Sequence, residues 1–322
     1  MPEEAPVMKT HLSLNQDATA ALLRRCGGFY LRRAIAERRG INLNQVILGN
    51  GSTEIIEMLA KAYLTDGDEA VLSEQSFVMY PIAVASVHGR PVMVPATAER
   101  CHDIEAMAQA VTPRTKLMYI ANPSNPTGTY INREQMDRLF ELLPDHVLLV
   151  VDQAYQEYVD RPDYPDTLTD LKAGRNVIVL RTFSKIYGLA GLRLGYGVTH
   201  AHVVETLNHV RSPFNTSNLA QDAGLASLDD DEWAERCRTE NNRELRYLQT
   251  ELRRRGVRFT PSVTNFVLVE FEADVKKLFV EFQRRGVIPR PVGGPGLSNC
   301  MRVSVGTRAE NERFLAVLGE LV

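Results

Sequence analysis

Strand-like and helix-like segments alternate along this chain from about residue 45 to about residue 215. The alternation predicts an α/β fold, in which a parallel or mostly parallel sheet carries helices on both faces. Residues 147–151 are all apolar, as in a strand that is buried on both sides, and Asp152 ends the run. We therefore expect the Asp152 carboxylate at the carboxyl edge of the sheet, where open α/β sheets bind their ligands.

Polar loops lie beside two further predicted elements. The strand-like run 116–121 leads into Asn122-Pro-Ser-Asn-Pro-Thr-Gly128, whose two prolines and final glycine predict a stiff loop. The segment Gly49-Asn-Gly-Ser-Thr-Glu54 precedes a helix-like pattern. Ser52 and Thr53 would then offer hydroxyls and free backbone N–H groups at a helix N-terminus, a place that favours phosphate.

A single lysine, Lys185, lies in the segment 181–197 among hydroxyls and small residues, and Arg193 follows eight positions later. A lysine amine can form a Schiff base with an aldehyde, and glycines let the backbone pass close to a flat ring. Hydroxyls and a guanidinium can hold a phosphate dianion. This combination of groups predicts a site for pyridoxal 5'-phosphate (PLP).

The order of the polar residues supports the same prediction. Lys185 lies 33 positions after Asp152, which itself lies 27 positions after Asn125. In a PLP site the Asp152 carboxylate would pair with the protonated pyridine nitrogen and keep the ring electron-withdrawing. Asn125 and Tyr155 would bind the phenolic oxygen of the ring. Any one of these residues is common at loops and strand ends, but the joint order is typical of a cofactor site.

These segments, with Ser76-Phe-Val-Met-Tyr80 and Met301-Arg-Val-Ser-Val-Gly-Thr-Arg308, resemble fold-type I, class I/II PLP-dependent aminotransferases, and most closely the histidinol-phosphate aminotransferase family. The resemblance runs from about Gly27 to the C-terminus. It implies a large domain with a mostly parallel seven-stranded sheet and a smaller α+β domain. The predicted large domain is 35–228, and the predicted small domain combines 1–34, an N-terminal arm, with 229–322.

The resemblance also implies roles for residues. Tyr80 would stack on the pyridine face, Asn125 and Tyr155 would bind the ring oxygen, and Asp152 would bind the ring nitrogen. The phosphate would be held by Ser52, Thr53, Thr182, Ser184 and Arg193. Lys185 would carry the cofactor, with Lys185, Asp152 and Tyr155 as the catalytic set, and Arg302 would bind the substrate carboxylate as a bidentate pair.

Two segments depart from the family pattern. After Leu12-Ser-Leu-Asn15 the chain lacks both the proline-rich stretch and the Tyr-Pro-Asp of the family, so that either the substrate pocket is more open or part of this segment is missing. The segment Val292-Gly-Gly-Pro-Gly-Leu297 lacks a tyrosine that relatives often carry near the position of Pro295. Both departures concern substrate recognition rather than the cofactor.

The predicted reaction is reversible transamination between histidinol phosphate and 2-oxoglutarate in histidine biosynthesis. An aromatic amino acid aminotransferase and a threonine-phosphate decarboxylase-like enzyme are the alternatives within the same scaffold. A PLP-binding regulatory module is a further alternative, but the presence of Lys185, Asp152 and Arg302 argues against it. Because the bond perpendicular to the ring breaks, placement of the substrate carboxylate by Arg302 would select deprotonation over decarboxylation.

Bulk properties agree with a cytoplasmic enzyme. The net charge of −3 gives no reason to expect nucleic acid or an anionic membrane as a partner. Four dispersed cysteines indicate reduced thiols, and the seven histidines show no metal-binding spacing. We find no signal segment and no stretch of about 18 apolar residues. The expected partners are a small-molecule amino donor and a 2-oxo acid, and the resemblance implies a homodimer.

Overall fold

The computed structural model describes residues 27–322. In this part of the chain, seven strands form one sheet in the order β1-β7-β6-β5-β4-β2-β3. Only β7 runs antiparallel to its two neighbours, so the predicted mostly parallel seven-stranded sheet is confirmed. The strands are β1 (Val46–Asn50), β2 (Glu69–Ser73), β3 (Arg90–Val94), β4 (Thr115–Ala121), β5 (Leu148–Asp152), β6 (Val177–Thr182) and β7 (Leu194–Val198).

Eleven α-helices are found among the described residues. Eight belong to the part of the chain up to residue 228, and a long helix then leads to the last two. The helices are α1 (Phe29–Arg39), α2 (Gly51–Tyr63), α3 (Met79–Ser86), α4 (Ile104–Gln109), α5 (Arg133–Leu142), α6 (Thr167–Lys172), α7 (Ala201–Asn208), α8 (Asn218–Leu228), α9 (Asp231–Arg254), α10 (Val275–Arg284) and α11 (Arg308–Leu321). None of the helices between residues 27 and 322 is long and apolar enough to cross a membrane.

The large sheet is buried on both faces. Along β5, Leu149 and Val151 join one hydrophobic cluster, whereas Leu148 and Val150 join the cluster on the opposite face. The period of two that places alternate side chains on opposite faces explains why this strand is apolar throughout. Helices cover both clusters, as the alternating sequence pattern predicts.

Side chains that cap helices act as the sequence indicates. Asn132 accepts a hydrogen bond from the backbone N–H of Gln135, and the Gln135 side chain accepts one from the Asn132 N–H, which completes a capping box at the start of α5. Asp230 likewise accepts a hydrogen bond from the N–H of Trp233 and begins α9. These caps fix where the chain enters helices on either side of residue 228.

A second, antiparallel sheet has four strands in the order β10-β11-β9-β8. They are β8 (Phe259–Thr260), β9 (Phe266–Glu270), β10 (Arg290–Pro291) and β11 (Cys300–Ser304). A separate hydrophobic cluster joins one face of this sheet to α9, α10 and α11. This is the smaller α+β unit that the sequence predicts, although the exact domain boundaries stay a prediction and residues 1–26 of the predicted arm lie outside the described residues.

The two sheets are tied together near the Asn122–Gly128 loop. The N–H of Val263 donates a hydrogen bond of 3.0 Å to the Gly128 carbonyl. Gly128 has a φ of 78°, and a Cβ there would lie 2.3 Å from the Ser262 Oγ. Glycine is therefore required at this position both by the backbone conformation and by the close approach of the second sheet.

Candidate active site

A cavity of about 190 Å³ lies at the carboxyl edge of the large sheet. The register pairs Ala121 with Asp152 and Asp152 with Leu180, so β4, β5 and β6 end side by side and present their following residues to the same space. All ten predicted cofactor residues line the cavity: Ser52, Thr53, Tyr80, Asn125, Asp152, Tyr155, Thr182, Ser184, Lys185 and Arg193. The structure therefore brings these side chains together around one cavity, while their roles stay predictions.

One end of the cavity is rich in donors for an anion. Ser52 and Thr53 lie in the first turn of α2, where backbone N–H groups have no acceptor within the helix. A Cβ at Gly51 would lie 2.7 Å from the Arg193 guanidinium, and a Cβ at Gly195 would lie 2.4 Å from the Ser52 nitrogen. The missing side chains therefore let the helix start, the neighbouring strand and the guanidinium converge. Hydroxyls, free N–H groups and a guanidinium form the donor set that a phosphate dianion needs.

Asp152 also lines the cavity and is buried, with 6% of its surface exposed. Its Oδ2 accepts a hydrogen bond of 2.9 Å from the Tyr80 hydroxyl, and its Oδ1 accepts one of 3.1 Å from the Ala154 N–H. Burial raises the pKa of Asp152, whereas these two hydrogen bonds and the charge of Lys185 act to lower that pKa. The net effect is a raised pKa, and the carboxyl group is held by two donors where it faces the cavity.

Lys185 lies close to Tyr155. The Lys185 Nζ is 5.0 Å from the centre of the Tyr155 ring. On the Tyr155 side of the cavity, Phe266 of the second sheet makes an edge-to-face contact with Tyr155, with ring centres 5.1 Å apart at 87°. The residue after Lys185 is also held from the second unit, because the Trp233 indole N–H donates a hydrogen bond of 3.1 Å to the Ile186 carbonyl. The lysine segment is thus supported by residues from beyond the large sheet.

Arg302 reaches the site from β11 and does not itself line the cavity. Its guanidinium donates a hydrogen bond to the Asn125 Oδ1 and lies 4.8 Å from the centre of the Phe266 ring. Arg302 is paired in register with Arg290 of β10. Directly opposed residues of antiparallel strands point to the same face, so both arginines lie on the face that meets the Asn125 loop. Arg290 is exposed, and no acidic side chain forms an ion pair with it within residues 27–322.

Two residues at the site were missed by the sequence analysis. Phe77 lines the cavity and contacts the Tyr80 ring edge-on at 5.6 Å, whereas the Tyr80 ring is fully buried and stacks on Tyr119 at 4.9 Å. Phe77 precedes Tyr80 by three positions at the start of α3. This spacing was the sequence signal that could have placed Phe77 beside Tyr80 in the site. Arg290 was also missed, because only strand pairing places it beside Arg302.

Comparison with known proteins places this arrangement in a family. The model of the family described as aminotransferase class I and II matches residues 8–318. The chain belongs to this family, and it is a PLP-dependent aminotransferase of fold type I. The observed cavity agrees with that assignment, since its donors suit a phosphate and its carboxylate suits a protonated ring nitrogen.

Individual relatives share one name. The chain is 43% identical over 295 residues to histidinol-phosphate aminotransferase 2 of Pseudomonas fluorescens Pf-5, covering 92% of this chain and 80% of the relative. It is 41% identical to histidinol-phosphate aminotransferase of Moorella thermoacetica, covering 91% and 76%. The structure of histidinol-phosphate aminotransferase from Sinorhizobium meliloti in complex with PLP matches with a TM-score of 0.85 at 28% identity, covering 92% of this chain and 82% of that one.

Proposed function

We propose that this aminotransferase moves an amino group between histidinol phosphate and 2-oxoglutarate. The names of the relatives support this substrate, and the paired arginines Arg290 and Arg302 carry the argument. Two like charges directly opposite on neighbouring strands destabilise a sheet, unless an anion lies between them. Histidinol phosphate brings a phosphate dianion, and 2-oxoglutarate brings two carboxylates. Both partners therefore suit a face that carries two guanidinium groups.

In this proposal the described residues hold PLP in one orientation. Ser52, Thr53, Thr182, Ser184 and Arg193 bind its phosphate. Asn125 and Tyr155 would bind the ring oxygen, and Asp152 would hold the proton on the ring nitrogen. When bound, PLP supplies a ring that withdraws the electron pair left when the substrate carbon loses its proton. The stacking of Tyr80 on that ring stays a prediction, and Phe77 is a second aromatic residue available for the ring face.

Lys185 is the group that we propose to move the proton. Lys185 would carry the cofactor, and its free amine would stand beside the substrate carbon as a general base and acid. Tyr155 lies beside the amine and limits its positions. The aromatic wall formed by Tyr155 and Phe266 keeps water away from this proton transfer. The same lysine returns the proton in the reverse direction. Because the first keto product leaves before the second substrate binds, the kinetics should be ping-pong.

Arg302 serves both partners in turn. With 2-oxoglutarate its planar guanidinium binds a carboxylate in bidentate fashion, and with histidinol phosphate, which lacks an α-carboxylate, it binds the phosphate together with Arg290. Phe266 and Asn125 orient the Arg302 guanidinium before substrate arrives. Preorganisation of this kind reduces the entropy lost on binding. The pair of arginines thus explains how a single site accepts two different anionic partners.

The test is a half-reaction screen with purified enzyme that carries PLP. Loss of the absorbance of the Lys185-bound cofactor is followed with histidinol phosphate, phenylalanine, tyrosine and glutamate. The proposal predicts rapid loss with histidinol phosphate and with glutamate, and slow loss with the two aromatic amino acids. No reaction with histidinol phosphate, together with rapid reaction with phenylalanine or tyrosine, would replace this function by that of an aromatic aminotransferase.

We also propose a cytoplasmic homodimer whose larger and smaller units close on the substrate. The dimer is supported by large apolar side chains on the surface, among them Val78 (62% exposed), Ile82 (50%) and Phe214 (69%). Closure is supported by the origin of the site, since residues 35–228 supply the cofactor residues and 229–322 supply Arg302. The cytoplasmic location is supported by free Cys101, Cys237 and Cys300. Sedimentation velocity would show a monomer if the dimer proposal is wrong.

A further inference from the structure

Tyr80 is held in one position by three contacts. Its ring is fully buried, stacks on Tyr119 with ring centres 4.9 Å apart, and meets the edge of Phe77 at 5.6 Å. Its hydroxyl donates a hydrogen bond of 2.9 Å to the Asp152 Oδ2. A ring packed in this way cannot swing, so the position of the hydroxyl relative to the carboxylate is fixed by the core of the protein.

The Tyr80 hydroxyl is suited to act only as a donor. Burial and the adjacent Asp152 charge raise the pKa of Tyr80 well above its ordinary value, so the hydroxyl keeps its proton throughout the working range of the enzyme. A hydrogen bond to an ionised carboxylate is roughly twice as strong as one between neutral groups. The contact therefore favours the ionised form of Asp152, against the burial that favours the protonated form.

We propose that Tyr80 is a positioning residue, whose hydroxyl orients Asp152 and keeps it ionised so that Asp152 can hold the proton on the cofactor nitrogen. In this role Tyr80 acts on the cofactor through Asp152. This inference rests on the proposed role of Asp152 and adds a residue to it. Other titratable groups surround the pair, namely Tyr119, Tyr155, Tyr164 and Lys185.

Tyr119 provides a matched control. It belongs to the same aromatic stack and is as fully buried as Tyr80, but its hydroxyl has no hydrogen-bond partner within the described part of the chain. Tyr119→Phe and Tyr80→Phe each remove one buried hydroxyl and leave both rings in place. Only the second variant removes a contact to Asp152. A general effect of hydroxyl loss on packing would therefore change both variants alike.

The decisive measurement uses the enzyme loaded with PLP that carries ¹⁵N in its ring. The ¹⁵N chemical shift reports whether the ring nitrogen is protonated, and it is recorded against pH for the wild type, Tyr80→Phe, Tyr119→Phe and Asp152→Asn. We expect Tyr80→Phe to lose the nitrogen proton at lower pH than the wild type, with kcat lowered roughly tenfold, as for the loss of one hydrogen bond to a charged group. We expect Tyr119→Phe to match the wild type in both measurements.

Identical ¹⁵N titrations of Tyr80→Phe and Tyr119→Phe would overturn the inference. An unprotonated nitrogen in the wild type, or a protonated one in Asp152→Asn, would instead overturn the proposed role of Asp152, and the inference with it. If Tyr80→Phe folds poorly by near-ultraviolet circular dichroism, 3-fluorotyrosine at position 80 replaces it. This nearly isosteric residue is a stronger donor, so the pH at which the nitrogen loses its proton should differ from that of the wild type, and an unchanged titration would contradict the inference.

Discussion

The cofactor end and the substrate end of the site are built differently. At the cofactor end, Asp152 is buried and each of its oxygens accepts a hydrogen bond from the surrounding fold. At the substrate end, Arg290 is exposed without an ion-pair partner among residues 27–322, and Arg302 is held by Asn125 of the loop that follows β4. The first arrangement is fixed before any ligand binds. The second would be completed by an anionic ligand bound between the two guanidinium groups.

This difference separates the residues proposed to carry the chemistry from the residues proposed to select the substrate. The donors at the cofactor end come from the edge of one sheet and from the helix that follows β1, and three of the residues there, Ser52, Thr182 and Asp152, are buried. The two arginines belong to a short hairpin whose connection, 292–299, contains three glycines and lies on the surface side of the second sheet. Such a connection tolerates substitution. We expect variants of the two ends to differ accordingly, in kcat for one and in KM for the other.

Lys185→Ala should have the largest effect at the cofactor end. Transamination should fall by roughly 10⁴-fold or more, since the variant loses both the covalent attachment and the proton-transferring group. Noncovalent PLP binding should remain, because the phosphate donors are unchanged. Borohydride reduction followed by mass spectrometry measures attachment, and Lys277→Ala on α10 is the control. Cofactor still fixed at one per chain in Lys185→Ala would show that another lysine carries it.

Asp152→Asn should reduce transamination by roughly 10³- to 10⁴-fold, comparable to neutralising the catalytic Asp of a serine protease. The amide cannot hold a pyridinium charge, although it is nearly the same size. Asp163→Asn is the matched control, because Asp163 also accepts a hydrogen bond of 2.9 Å from a tyrosine, Tyr130, but on the surface. Steady-state kcat is the measurement. A kcat for Asp152→Asn within threefold of the wild type would remove Asp152 from the mechanism.

The substrate end should respond through KM. Arg302→Lys should raise the apparent KM for both partners by roughly tenfold or more, because the single ammonium replaces a bidentate contact. Arg290→Ala should raise the KM for histidinol phosphate by a similar factor and leave phenylalanine little affected. Arg284→Ala, which removes a surface ion pair with Glu281, is the control. Equal changes for phosphorylated and aromatic substrates in Arg290→Ala would argue against phosphate binding there.

Gly128 lies where the two sheets are tied together. Its substitution should lower the free energy of unfolding rather than change the catalysed reaction. Gly128→Ala places a Cβ 2.3 Å from the Ser262 Oγ at a φ of 78°. Gly174 has a φ of 88°, but a Cβ added there would have no other atom within 4 Å, so Gly174→Ala tests backbone strain alone. We expect about 1 kcal/mol of destabilisation from backbone strain at Gly174, and roughly 1–3 kcal/mol more at Gly128 from the clash. Urea unfolding gives both values, and equal losses would show that Ser262 moves aside.

Much of the cofactor end follows from sequence because its geometry is local to strand ends. Apolar runs that stop at Asp152 and before Asn122 predict where β5 and β4 end, and parallel strands that end together bring those residues to one edge. The glycine-containing start of α2 predicts an anion site in the same way. These inferences need only the chain direction and the period of each element.

What the sequence did not predict depends on pairings between distant residues. The hydrogen bond between Tyr80 and Asp152 joins residues 72 positions apart, and it depends on how α3 is rotated against the sheet. The pairing of Arg290 with Arg302 depends on a two-residue strand, β10, that is too short to show a periodic pattern. Phe77 and Tyr80 are both aromatic and both line the cavity, so composition alone does not distinguish which one would stack on a bound ring.

The contact between Trp233 and the Ile186 carbonyl has a practical consequence. Trp233 is the only tryptophan of the chain, and its indole N–H donates a hydrogen bond to the carbonyl of Ile186, the residue that follows Lys185. Indole emission depends on hydrogen bonding and on nearby absorbing groups. The intrinsic fluorescence of this protein is therefore a local signal from the Lys185 segment, so cofactor loading and movement of α9 can be followed with no added label.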